Sequence, residues 1–196
     1  MSLQTSSYRR ALSLVAILNL AYFGVEFIVA INIGSVSLFA DSIDFLQDTA
    51  SNLLILVALG WGAHKRSHVG MLLPGFLLIP GIATLWMAWN KIGLPVPPDP
   101  MSLSLTGTGS LMVNVLCTFI LVAFKHQKSS LTKMAYLSAR NDAIASIAII
   151  AAGITTAIMT SIWPDVIVGL GIFTINLGAA REVFLTAKKE HADAKA

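Results

Sequence analysis

Charge is scarce in this chain. Asp, Glu, Lys and Arg make up 12% of its 196 residues against 56% hydrophobic residues, and the mean hydropathy is +0.77. A soluble domain carries about twice that share of charge, so the composition excludes one and points to an integral membrane protein. Cysteine is nearly absent too: a single Cys117 cannot close an intramolecular disulfide. Basic residues are missing from alternate loops, where only Lys91 stands. A pI of 9.2 would otherwise suggest a nucleic-acid partner, but a basic balance placed in this way reports membrane topology instead. A cleaved leader is not expected either. The apolar run after Arg9 and Arg10 is too long for a signal core, contains Glu26 and lacks a small-x-small cleavage site.

What is present is a series of six apolar segments, about 11–33, 37–63, 69–89, 104–124, 133–158 and 166–185, each near the ~20 residues that span a bilayer. Arg9, Arg10, Lys65, Arg66, Lys125, Lys128, Lys133, Arg181, Lys188 and Lys189 flank them on one side. By the positive-inside rule both termini face the cytoplasm. The expected fold is all-α with six transmembrane helices. A cytoplasmic N-terminal segment (1–10) precedes a membrane domain (11–186), and a short cytoplasmic tail (187–196) follows it.

Three carboxylates interrupt the second segment. Asp41, Asp44 and Asp48 fall at i, i+3 and i+7 and therefore on one helix face. An ionisable group near the bilayer centre costs at least ~2.5 kcal/mol on insertion scales, so that face must look into a bundle or a wet cavity. Counted from Ser37, Asp44 lies roughly 10 Å and Asp48 roughly 16 Å deep in a ~30 Å core. Two carboxylates a turn apart at that depth suit a divalent cation.

The fifth segment is the second polar one. Asp142 lies about 14 Å from Lys133, coming from the opposite side, with Ser138 one turn earlier on the same face. Crossing the two helices would gather three carboxylates and a hydroxyl. Arg140 lies close by without an evident role. In the first segment Asn19 and Glu26 share a face. The asparagine suits an interhelical hydrogen bond, and Glu26 either that or a place in the cation or proton path. Elsewhere Pro74 and Pro80 should kink the third segment, with Trp86 and Trp89 anchoring its end. His64 and His68, beside Lys65 and Arg66 in a turn, read as solvated. Residues 91–100 form a stiff proline-rich linker. Thr106 to Ser110 favour close helix contact in the fourth segment, which also holds Asn114. Trp163-Pro164-Asp165 suits a helix start, and Gly169, Gly171 and Gly178 read as a packing face.

These residues resemble the transmembrane domain of the cation diffusion facilitator family, proton-coupled exporters of divalent metals. The resemblance rests on Gly34-Ser-Val-Ser-Leu-Phe-Ala-Asp-Ser-Ile-Asp with Asp48, on Asn141-Asp142, and on Trp163-x-Asp165 with Gly169. It implies a tetrahedral site with two residues four apart on each of the second and fifth helices, here Asp44, Asp48, Ser138 and Asp142. Asn141, Asp41 and Glu26 are weaker candidates. Serine stands where histidine or aspartate is usual, and an all-oxygen set leans from zinc toward harder ions such as manganese or magnesium.

The resemblance further implies a transported cation of the zinc, manganese, cadmium, iron or cobalt class, with protons as the coupling ion and no cofactor. The expected partners are that metal ion, the lipid bilayer of a bacterial-type inner membrane and a second copy of the chain. The family's usual C-terminal cytoplasmic domain is lacking, so the membrane helices would hold a homodimer. Two aspartates a turn apart repel in a low dielectric, so the metal-free cluster should hold protons that a divalent ion must displace, which amounts to antiport. The rival is a non-transporting relative with a structural or regulatory role, which the serine and Arg140 would suit. An enzyme is not expected: a paired-aspartate hydrolase would need room for a peptide or lipid and a positioned water.

Overall fold

The computed structural model describes residues 3–58, 81–123 and 130–193. The histidine turn at His64 and His68 and the kinks expected at Pro74 and Pro80 lie outside the described residues. The chain forms α1 (Leu3–Ile33), α2 (Val36–Ala58), α3 (residues 81–93), α4 (Pro100–Val122), α5 (Ser130–Met159) and α6 (Trp163–Asp193), with no strand among the described residues. Three of the helices contain stretches long and apolar enough to cross a membrane: Ser6–Ile33, Pro100–Val122 and Asn141–Met159. α2, with its three aspartates, is not among them.

The usual arrangement of a soluble protein is inverted here. Ile17, Phe119 and Ile158 stand 63%, 70% and 78% exposed, while Asn19, Glu26, Asp41, Ser110 and Ser146 are buried. Apolar side chains outside and polar ones inside are stable only where the solvent is hydrocarbon. Trp86 and Trp89 are exposed near the end of α3, as headgroup anchors would be.

α1 ends where Gly34 takes the left-handed conformation (φ 62°). The Ser35 N–H then reaches back to the Ala30 carbonyl at 2.9 Å and the Gly34 N–H to Ile31 at 3.3 Å, the paired closing bonds of a Schellman cap. The chain turns within two residues, so α1 and α2 pack side by side. Lys91 secures the turn by donating from Nζ to the Gly34 carbonyl at 2.6 Å.

α2 begins against α6. Asp165, fully buried in the first turn of α6, accepts from Ser35 Oγ (2.6 Å), Ser37 Oγ (2.6 Å), the Val36 N–H (2.8 Å) and the Ser37 N–H (3.1 Å). Asp165 stands in the first turn of α6, as expected of a helix start, but its bonds go to the neighbouring helix. Its carboxylate caps the free amides of α2, satisfying donors that would otherwise be buried unpaired. Gly169, one turn further along, permits the approach, since an added Cβ would stand 2.7 Å from the Val36 carbonyl carbon. For the other glycines expected to pack, a Cβ at Gly171 or Gly178 would meet nothing within 4 Å among the described residues.

α4 starts on Asp99, whose carboxylate accepts from the Ser102 N–H at 2.7 Å, with Pro100 at the first helical position. Hydrogen bonds from Ser102 hold the Asp99 carboxyl below the ordinary range. Against α5, Gly107 brings α4 close enough that a Cβ would press on Ile149 at 2.9 Å. The core formed this way draws on α1, α2, α4, α5 and α6 through Ala30, Leu38, Ile43, Leu103, Ile149 and Ile172. It closes one end of the bundle and leaves the polar faces of α2 and α5 opposed beyond it.

Candidate metal site

Asp41, Asp44, Asp48 and Asp142 line a common space together with Phe45 and Asn114. The helical period places the three α2 aspartates on one face, and α5 carries Asp142 to meet them. Asp44 is buried, and Asp48 and Asp142 are partly buried. The carboxyl groups of Asp48 and Asp142 lie within hydrogen-bonding reach of each other. Among the described residues, no three His, Cys, Asp or Glu side chains stand in an arrangement that would hold an ion in this conformation. The carboxylates are gathered without being arranged to coordinate an ion in this conformation.

Asp41 differs from its two neighbours. Its Oδ2 accepts from Ser110 Oγ of α4 at 2.6 Å, and Ser110 Oγ lies 2.9 Å from Ser146 Oγ of α5. Asn114 donates to Ser146 Oγ at 3.2 Å, and the Ser146 hydroxyl donates to the Asp142 carbonyl at 2.8 Å. A buried polar network thus ties α2 to α4 and α5. Beside it, Glu26 of α1 is fully buried within reach of Asp41 but does not line the space. Among the described residues, no hydroxyl or N–H group donates to either Glu26 oxygen or to Asp41 Oδ1.

The remaining candidates fall apart from these. Asn141 is exposed on α5 and is not among the residues lining the space. Ser138 sits in α5 one turn before Asp142, but its side chain lies outside the described residues, as does that of Arg140. Asn19 is buried as expected, its Oδ1 accepting from the Cys117 thiol at 3.5 Å.

The sequence reading missed three contributors. Ser110 and Ser146 gave no signal, because serines on apolar helices usually bond back to their own backbone. Asn176 of α6 gave only a faint one, as a lone amide in an apolar stretch. Its Nδ2 donates to Asp44 Oδ1, so α6 reaches one of the carboxylates, although Asn176 is not among the residues that line the space.

A buried cluster of acids between outwardly apolar helices can bind and neutralise a cation within a membrane. Comparison with curated proteins found no match. Residues 12–190, nearly the whole chain, match the sequence profile described as the cation efflux transmembrane domain. The chain therefore belongs to the cation efflux family and is a membrane-embedded cation transporter of the cation diffusion facilitator kind.

Proposed function

We propose that the chain exports divalent metal cations in exchange for protons, through a site built by Asp44 and Asp48 of α2 and by Asp142 and Ser138 of α5. The observation that carries this reading is that carboxylates of two helices face one buried space. Like charges so close cannot all persist bare in a low dielectric, so protons hold the metal-free cluster together and a cation must displace them. Exposing the site to one side and then the other makes that competition an antiport. The metal is the substrate, and an oxygen-rich set accepts manganese-type ions as readily as zinc.

Flux tests this reading. Purified chain in liposomes, with an internal metal indicator and a pH dye, should move zinc or manganese one way and protons the other. An imposed proton gradient should drive the metal uphill. Cation binding without flux would leave the non-transporting role, and flux insensitive to a proton gradient would remove antiport.

The same proposal includes six spans, both termini in the cytoplasm of a bacterial-type cell and a homodimer joined through the helices. Its support is the one-sided placement of the basic residues. Cysteines introduced singly at Ser2 and Val96, in a Cys117→Ala background, should react with an impermeant maleimide from opposite sides. Labelling of both from one side would remove that topology.

A further inference from the structure

Asp44 is held from a third helix. Asn176 of α6 is partly buried, and its amide Nδ2 donates to Asp44 Oδ1. The Asp165 contact sets the two helix starts level, and the depths then agree. Asp44 is roughly 12 Å down α2 from Val36, and Asn176 is roughly 16 Å down α6 from Asp165, with its side chain reaching back toward the helix start. The contact thus follows from how α2 and α6 are joined.

An amide side chain can present a donor or an acceptor at the same point. Half a turn about its terminal torsion exchanges the NH2 group for the carbonyl oxygen, and that torsion is broad and two-fold. Without a cation, the carboxylate draws the amide N–H. A divalent cation arriving on the same carboxylate reverses the preference, because it repels the N–H dipole and attracts the carbonyl.

We propose that Asn176 is a ligand of the transported cation and sets its specificity: when the cation binds, the amide turns over and its Oδ1 joins Asp44, Asp48 and Asp142. This rests on the carboxylate site proposed above and adds a third helix to it. A neutral oxygen donor favours hard ions with larger coordination numbers and adds little for zinc, which prefers nitrogen and sulfur. The residue therefore tilts the site toward manganese.

Binding of manganese, zinc and cobalt chlorides to the purified full chain tests this, with Asn176→Leu and Asn176→Asp compared and folding checked by thermal melting. Asn176→Leu, close in size, should weaken manganese binding by about tenfold and zinc binding by less. The d–d absorption of bound cobalt should intensify as an oxygen ligand is lost. Asn176→Asp keeps the oxygen, and should hold or strengthen manganese binding with the cobalt spectrum unchanged. It decides the matter alone if the leucine variant does not fold. Unchanged manganese affinity in folded Asn176→Leu would overturn the proposal. So would an equal loss for all three metals with an unaltered cobalt spectrum, which would make Asn176 only a support for Asp44. Weakened manganese binding in Asn176→Asp would overturn it as well. Asp44→Asn separates the two levels: it should abolish binding of all three metals, and binding that survives it would show that the carboxylate site itself is wrong.

Discussion

Asp142→Asn is expected to stop cation flux in liposomes, by at least about a hundredfold, while leaving the protein folded. Removing one partner of a buried charge interaction costs about 3–5 kcal/mol, and each 1.4 kcal/mol is about tenfold in affinity. The fold should survive because asparagine has the same shape and the Asp142 carbonyl still accepts from Ser146. Stability without cation should hold or rise, since a like-charged cluster loses a member. The stabilisation that saturating cation confers on the native chain, about 2.7 kcal/mol at a hundred times Kd, should vanish. Ile144→Ala, two residues along and exposed, should leave flux unchanged. Native-like flux from folded Asp142→Asn would take α5 out of the site.

Asp165→Ala should be the most destabilising single change among the described residues. Four donors lose their acceptor, two of them buried backbone amides at the start of α2. A hydrogen bond to a charged acceptor contributes about 1.5–3 kcal/mol, and the donors left behind carry their own desolvation penalty. About 3 kcal/mol or more is expected in total. For a chain of this length that is roughly a 10 °C fall in melting temperature, measurable by circular dichroism in detergent. Asp165→Asn should fall between, because its NH2 would face other donors. Asp99 caps an exposed helix start, where water can replace the lost acceptor, so Asp99→Ala should cost far less. A change under about 2 °C in Asp165→Ala would mean that the α2 amides find other partners.

Much of the architecture was legible because lipid makes polarity expensive. Asp41, Asp44 and Asp48 at helical spacing had to face inward, as did Glu26 and Asn19, and the structure buries Glu26, Asn19, Asp41 and Asp44. Depth counting at 1.5 Å per residue set Asp142 against Asp48, and the two line the same space. What escaped depends on azimuth and partner choice, which a period does not encode. Gly169 and Gly171 are two residues apart, yet only the first meets a neighbour. Asp165 suited a helix start, but nothing in the sequence told that all four of its bonds would go to residues 35–37, where α2 begins. Asn176 lies in an apolar stretch without any acid near it in sequence, so nothing there announced that Asp44 would be its acceptor.

The clamp at Asp165 gives α2 a fulcrum. Pinned at Val36, the helix can swing only as a lever, and displacement grows with distance from the pivot. A swing of roughly 10° would shift Asp41 by ~1 Å, Asp44 by ~2 Å and Asp48 by ~3 Å, taking 1.5 Å of rise per residue. A metal–oxygen bond is about 2.0–2.6 Å long, so such a swing would carry Asp48 more than a bond length away and displace Asp44 by less. Grip on the ion would be released from one end of the helix, like a hinge opening, and the order of release would follow from leverage rather than from the chemistry of the carboxylates.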